Sequence, residues 1–424
     1  MRVQEIIYHE FEPYHLCFKR NCRSAVKSVQ VSIIGQGYVG LPLAISLANF
    51  GYSVFGIDTD EDKVLGLNKG KSSIEDISDQ EVLTAINSGQ YIATSDFSKV
   101  ADSEIVIICV PTPLNIEHKP DLSILKSALI SLSAHVKKET LIILESTVAP
   151  GTTRGLVAKI IEETSKISIS GFHLVFSPER IDPQNKKWSI ANTPKLVAGL
   201  TPESCNMGFE FYSKFICSVI KCDSLEVAET AKLLENSFRL VNISFINEFS
   251  IFCEKIGIDV NSVINAAATK PYGFMPFYPS IGAGGHCIPV DPLYLASKAK
   301  EIGAPTKFIE LATQVNRQIS DLYVQKAKLR IGKLSKKRVL IIGVAYKPNV
   351  SDVRETPAAA LITALKNEGA EVFWHDDLVQ EWNGRKSTSI SSDFDLAIIA
   401  VHHDYLDLEK LKQVPMITAG RSVL

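Results

Sequence analysis

Short uninterrupted apolar runs alternate along this chain with stretches in which apolar residues recur every three or four positions. The first run, Val29 to Ile34, leads into Gly35-Gln36-Gly37-Tyr38-Val39-Gly40 and then a helical pattern from Leu41 to Phe50. A second run, Ser53 to Ile57, ends at Asp58. Further runs, Ile105 to Val110 and Leu141 to Leu144, end at Pro111-Thr112-Pro113 and Glu145-Ser146-Thr147. Strands that are apolar throughout belong to a parallel sheet covered on both faces by helices. Ligands of such sheets sit beyond the carboxyl ends of the strands, where Pro111, Thr112 and Thr147 fall.

From Leu225 to Ile256 there is neither glycine nor proline, which predicts one long helix. Its apolar faces exceed what one core needs, predicting a homodimer or higher homo-oligomer. Helical pattern continues to about Lys333, broken by a loop rich in Pro, Gly and aromatics from Pro271 to Pro292. A second α/β pattern follows, with strands at 338–343, 371–374 and 396–401 and a helix at 358–368. The predicted fold is α/β: two Rossmann-like doubly wound domains joined by a long central helix and helical segment. The expected divisions are 1–28, an extension; 29–222, the first domain; 223–333, the helical segment; and 334–424, the last domain.

The 424 residues are too many for a single core. Forty-five basic against 47 acidic residues leave no basic stripe for a nucleic-acid backbone. No apolar run reaches the ~18 residues a membrane span requires. The eight cysteines form no CxxC pair and have no histidine at metal-ligand spacing, so no metal is expected. Reduced thiols and a cytoplasmic location are expected instead.

Three clusters carry candidate chemistry. A strand, a glycine turn opening a helix, a second strand and a carboxylate about 20 residues on form the dinucleotide fingerprint. Gly35, Gly37 and Gly40 let backbone amides approach a pyrophosphate, and Asp58 favours a free ribose hydroxyl over a 2′-phosphate, so the cofactor reads as NAD. In Gly282-Ala283-Gly284-Gly285-His286-Cys287-Ile288-Pro289-Val290-Asp291-Pro292, repeated glycine lets backbone crowd a ligand and constrains Cys287. A lone cysteine is usually a small buried hydrophobe. The flanking glycines and Asp291 tip this one toward a nucleophile. The adjacent His286 reads as a structural neighbour. Lys232 and Asn236 project from one helix face and suit oxyanion stabilisation, but by spacing alone they read as a solvated face.

These motifs, with Ser146-Thr147-Val148-Ala149-Pro150-Gly151-Thr152, Ser177-Pro178-Glu179-Arg180, and Lys347-Pro348-Asn349 followed by Asp352 to Pro357, stand in an order that resembles the UDP-glucose/GDP-mannose dehydrogenase family. The resemblance spans residue 29 to the end. It implies four-electron oxidation of a sugar C6 alcohol to a carboxylate, with Cys287 forming a thiohemiacetal and then a thioester. It implies that Lys232 and Asn236 hold the oxyanion, that Asp291 and Thr147 handle water and protons, and that Glu179 serves as acid/base. Cofactor residues would be Gly35, Gly37, Tyr38, Val39, Gly40, Asp58, Lys63, Pro111, Thr112 and Thr147. The UDP-sugar would meet Glu179, Arg180, Lys232, Asn236, Lys270, Tyr278 and Gly284, with Lys347 and Arg354 at its nucleotide end.

UDP-glucose enzymes carry a second glutamate after Ser-Pro-Glu, in a pattern like PEFLRE; here Ile181-Asp182-Pro183 follows instead. Pro-Glu-Arg and the segment Lys270 to Pro279 are similar to the branch that oxidises UDP-N-acetylglucosamine for surface polysaccharides. UDP-N-acetylmannosamine and UDP-glucose are the alternative substrates. From other classes, a single-hydride hydroxyacid dehydrogenase and a non-catalytic NAD-binding module remain open. Lys270 stands where relatives place an arginine that reaches a neighbouring subunit. Thr418-Ala419-Gly420-Arg421-Ser422 departs from the family's usual Asp-x-Arg-Asn.

Overall fold

The computed structural model describes residues 29–182, 185 and 187–420. The extension 1–28 and Arg421 lie outside the described residues. The chain divides into two compact units. The first holds the chain up to Pro111, Ser123–Thr147 and Gly151–Glu229; the second holds Thr112–Leu122, Val148–Pro150 and everything from Thr230.

In the first unit the elements run β1 (Gln30–Ile34), α1 (Gly40–Asn49), β2 (Ser53–Ile57), α2 (Glu61–Asn68), α3 (Asp79–Asn87), β3 (Tyr91–Thr94), β4 (Ile105–Ile108), α4 (Ser123–Ser133), β5 (Leu141–Leu144), α5 (Ala158–Ser165), β6 (His173–Phe176), β7 (Lys195–Gly199), α6 (Pro202–Tyr212) and β8 (Val219–Lys221). The eight strands form one sheet ordered β3-β2-β1-β4-β5-β6-β7-β8. Its first six positions have the strand order of the doubly wound dinucleotide fold. Every residue of β4 and β5 is buried, as their unbroken apolar character requires. The one polar residue buried in β1, Ser32, bonds Ser103 at 2.8 Å. The expectation of a wholly parallel sheet fails at one edge, where β7 runs antiparallel to β6. Among the described residues no helix lies between Phe176 and Lys195 to carry a crossover, and the chain reverses direction.

Then α7 (Leu225–Lys255) begins, 31 residues without a breaker. In the second unit it buries Leu233, Ser237, Leu240, Ser244 and Asn247, at spacings of three and four. Its buried polar groups tie down other segments: Ser244 Oγ donates to the Ala312 carbonyl at 2.8 Å, and Asn247 Oδ1 accepts the Ser280 amide at 2.8 Å. The helices α8 (Val260–Ala268), α9 (Asp291–Glu301) and α10 (Lys307–Ile331) follow. The last α/β segment comprises β9 (Arg338–Ile342), α11 (Pro357–Asn367), β10 (Glu371–His375), β11 (Glu381–Trp382), β12 (Arg385–Lys386), β13 (Leu396–Ile399) and β14 (Met416–Thr418). Its main sheet is parallel, ordered β10-β9-β13-β14. Tyr323, Val324 and Ala327 of α10 and Leu361 and Leu365 of α11 join Ile341 and Ile398 in its core. Each such large apolar side chain contributes roughly 1.5–3 kcal/mol by leaving water.

Candidate active site

The glycine turn of the first unit is built for close approach. Gly35 has φ +93°, and a Cβ there would lie 2.8 Å from the Cys109 carbonyl. A Cβ on Gly40 would lie 1.8 Å from the Gly35 carbonyl, which no side chain survives. Gly37, by contrast, faces open space. The N-terminus of α1 receives no side-chain cap from Val39, so no side chain occupies the place a pyrophosphate would take. Tyr38 and Val39 complete this turn.

Asp58 follows β2 and is held on three sides. Its Oδ2 accepts the Gln36 amide at 2.8 Å and the Lys63 ammonium at 2.9 Å, and its Oδ1 accepts the Asp60 amide at 3.1 Å. Burial pushes this carboxyl up, but Lys63 and the two amides outweigh it and hold it below its ordinary value. Lys63 therefore meets the predicted ribose-binding carboxylate directly. Sequence reading missed Gln36, whose buried amide donates to the Ile33 carbonyl at 3.0 Å and accepts the Tyr91 hydroxyl at 2.9 Å. It braces the turn from beneath.

Three further residues of this unit lie beyond strand ends, Pro111 and Thr147 as expected. Pro111 lies beyond β4, and Thr147, half-buried, beyond β5. Glu179 follows β6, with its Oε1 accepting the amides of Arg180 at 2.6 Å and Ile181 at 2.5 Å. Its Oε2 accepts the Lys195 ammonium at 3.2 Å. Arg180 donates to the Pro194 carbonyl at 2.8 Å.

In the second unit, Lys232, Asn236, Cys287 and Asp291 form one cluster. Asn236 Nδ2 donates to Asp291 Oδ2 at 2.5 Å, and the Asp291 amide donates to the Cys287 carbonyl at 2.8 Å. Asp291 is buried in the first turn of α9. A helix N-terminus favours its charge by up to about 1 kcal/mol. Burial outweighs that help, the Lys232 ammonium and the Asn236 hydrogen bond, raising the carboxyl to about 6. A carboxylate ionised at neutral pH yet this basic suits proton transfer. Burial, with the positive charges of Arg354 and Lys232, lowers the His286 imidazole to about 4, so it is neutral at pH 7.

The glycines beside Cys287 serve a purpose the sequence did not reveal. A Cβ on Gly284 would lie 2.5 Å from Pro357 Cδ, and one on Gly285 would lie 2.9 Å from the Tyr346 ring. They admit the protein's own C-terminal segment against the cysteine loop. That segment carries Lys347, whose ammonium lies 5.8 Å from the Tyr346 ring centre. The Nε–Nη2 edge of Arg354 is engaged with Asp352, at 2.9 and 2.6 Å, so the planar grip expected for phosphate is directed at a carboxylate of this chain. A buried pair unreadable from sequence supports the same segment: Asp376 accepts the Val344 and Ala345 amides and lies 3.2 Å from His403 Nε2. The Asn349 amide donates to His403 Nδ1, which leaves the ring proton on Nε2 facing Asp376. Thr112 accepts the Tyr294 hydroxyl through its carbonyl at 3.0 Å. Lys270 is exposed, its ammonium 5.0 Å from the Tyr272 ring, and Tyr278 donates to Asn265 at 3.2 Å.

Among the described residues no helix is long and apolar enough to cross a membrane. Nor does any group of three or more His, Cys, Asp or Glu there offer a metal site.

Comparison with known proteins agrees with this geometry. Residues 29–216, 226–318 and 340–424 match, in turn, the NAD binding, central and UDP binding domains of the UDP-glucose/GDP-mannose dehydrogenase family. The chain is 33% identical to a UDP-N-acetyl-D-glucosamine 6-dehydrogenase of Salmonella typhi, over 89% of this chain and 91% of the relative. It is equally 33% identical to a UDP-N-acetyl-D-mannosamine dehydrogenase of Methanocaldococcus jannaschii, over 93% and 91%. A UDP-D-ManNAc dehydrogenase structure from Pyrococcus horikoshii superposes with a TM-score of 0.84 at 28% identity, covering 93% of this chain and 96% of that one. The chain is an NAD-dependent oxidoreductase belonging to the UDP-glucose/GDP-mannose dehydrogenase family.

Proposed function

We propose that the protein oxidises the C6 alcohol of UDP-N-acetylglucosamine to the uronic acid in two successive two-electron steps, in the cytoplasm, for a surface polysaccharide. The observation that carries this reading is the cluster of Lys232, Asn236, Asp291 and Cys287 on a loop packed against the segment bearing Lys347 and Arg354. The Gly35–Gly40 turn and Asp58 would hold NAD, which would supply a hydride acceptor for each oxidation. Loss of the first hydride converts the alcohol to an aldehyde, whose carbon the Cys287 thiolate attacks. The resulting thiohemiacetal is oxidised to a thioester, which water hydrolyses to release the acid. Lys232 and Asn236 stabilise the oxyanion at each tetrahedral stage. Asp291, with Thr147, takes the proton of the attacking water, and Glu179 serves as acid/base at the sugar. Arg180, Lys270, Tyr278 and Gly284 are assigned to the sugar and Lys347 and Arg354 to the UDP.

The N-acetyl group is favoured because Arg180, rather than the motif of the UDP-glucose branch, follows Pro178-Glu179. An amide partner left unfilled penalises a glucose donor by about 1–3 kcal/mol. The expected result is that UDP-N-acetylglucosamine gives the highest kcat/KM in a panel with UDP-N-acetylmannosamine, UDP-glucose and GDP-mannose, with two NADH formed per sugar. Best turnover of UDP-glucose or GDP-mannose refutes the substrate assignment, and one NADH per sugar refutes the four-electron reaction.

Asp58 sets the cofactor preference. The wild type should favour NAD over NADP at least tenfold, which is about 1.4 kcal/mol. In Asp58→Ala the Lys63 ammonium loses its 2.9 Å partner and is released toward a 2′-phosphate, so the preference should collapse. Paired kcat/KM values for the two cofactors decide this. Equal use of both by the wild type would sink the idea.

A homodimer is proposed from α7. Leu234, Phe238, Phe245 and Phe252 recur at intervals of four, seven and seven, and all are about half exposed or more. That is the seam along which two helices pack. Light scattering should return about twice 46.6 kDa at micromolar concentration; the monomer mass would count against the interface.

A further inference from the structure

Behind the Glu179 loop lies an ionised array that the reaction as described does not use. Lys195, the first residue of β7, has only 8% of its side chain exposed, and Glu145, at the end of β5, has none. The Lys195 ammonium lies 2.9 Å from Glu145 Oε1 and 3.2 Å from Glu179 Oε2. Tyr212 donates its hydroxyl to the same Glu145 oxygen, and its ring lies 5.2 Å from the ammonium. Glu179 is therefore gripped at both oxygens: two backbone amides hold Oε1 and Lys195 holds Oε2.

A lysine this deeply buried is expensive unless paired, and surface residues do not need such a device. Burial works against the Lys195 charge, but the two carboxylates outweigh it and keep its proton in place. Burial, reinforced by the Glu179 charge, pushes the Glu145 carboxyl up to about 7 despite Lys195 and Tyr212. The array thus keeps one ammonium fixed between two carboxylates, only one of which, Glu179, is assigned to the chemistry.

We propose that Lys195, anchored by Glu145, is a positioning residue for the oxidation, fixing the Glu179 carboxylate in a single orientation. The inference rests on the acid/base reading of Glu179. Fixing a catalytic carboxylate matters because a misplacement of about 1 Å can lower a rate a hundredfold.

The test combines Glu145→Gln, Glu145→Gln/Lys195→Met and Glu179→Gln, assayed with NAD and the best UDP-sugar. Removing the buried pair together avoids stranding a charge. The double variant should lose at least tenfold in kcat, with the NAD KM within twofold of wild type. In a Glu179→Gln background the same two changes should cost nothing more, because Lys195 acts only through Glu179. An unchanged kcat, or a loss that multiplies with that of Glu179→Gln, overturns the proposal. If the double variant does not fold, Glu145→Gln decides by the same comparisons, since glutamine keeps an acceptor for Tyr212 while loosening Lys195. A Glu179→Gln enzyme as active as wild type would instead remove the role of Glu179 itself.

Discussion

Cys287→Ala should abolish formation of the uronic acid while leaving the protein folded and able to bind NAD and UDP. The thiol is the only group in the Lys232–Asn236–Asp291 cluster that can form a carbon–sulfur bond, and the proposed second oxidation needs a tetrahedral carbon attached to the enzyme. Without it, turnover should fall by a factor of at least about a thousand, since removing a nucleophile removes the whole covalent route. Cys287→Ser is more informative still. Its alkoxide is a poor leaving group, so any acyl-enzyme formed should persist. Intact-mass measurement after a quenched single turnover should show no adduct with alanine and, with serine, a slowly cleared one. Steady-state production of two NADH per sugar by Cys287→Ala at the wild-type rate would show that this cysteine is not the nucleophile.

Asp291→Asn should lower kcat by roughly a hundredfold or more, the range expected when a general base is removed. Because the loss falls on hydrolysis, the thioester on Cys287 should accumulate and be visible by mass. The same substitution should stabilise the fold, in a pH-dependent way. The Asp291 carboxyl titrates near 3.8 when unfolded and at about 6 when folded, so the folded protein holds the proton more tightly. Stability associated with the neutral form is complete below about 4 and is lost as pH rises through 6. The asparagine variant, which has no charge to bury, escapes that loss. Its advantage in Tm over the wild type should vanish near pH 4 and reach a plateau above pH 7. A constant difference across that range would mean that burial of the Asp291 charge is not what the substitution relieves.

Elements whose signal is local were legible in the sequence. β1, the glycine turn and α1 announce themselves because continuous apolar residues, a turn requiring positive φ and a helical period follow one another within 20 residues. The long α7 and the strands β4, β5, β9 and β13 were equally plain, for each is apolar from end to end or free of breakers. The antiparallel β7 was not, because strand direction depends on what connects two strands rather than on their composition. In the site, Cys287, Asp291, Lys232 and Asn236 were singled out through motif and resemblance, as two pairs, one close in sequence and the other on one helix face. Lys195 was invisible: it meets Glu145 across 50 positions and opens a strand where a lysine ordinarily faces water. The Asp376–His403 pair, 27 residues apart, escaped for the same reason. The packing role of the glycines at 284 and 285 was not legible because the rings that occupy their missing side chains lie more than 60 residues further on.

Those two glycines also govern how such enzymes can be recombined. A chimera joined between α10 and β9 keeps the cysteine loop of one parent and takes residues 346 and 357 from the other. The recipient's glycines are a socket cut for one particular tyrosine and one particular proline, which approach within 2.9 and 2.5 Å of where a methyl would stand. The last α/β segment is therefore not a cassette that can be exchanged freely at the junction before β9. It travels with the shape of the loop that bears Cys287, and the two have to be inherited together.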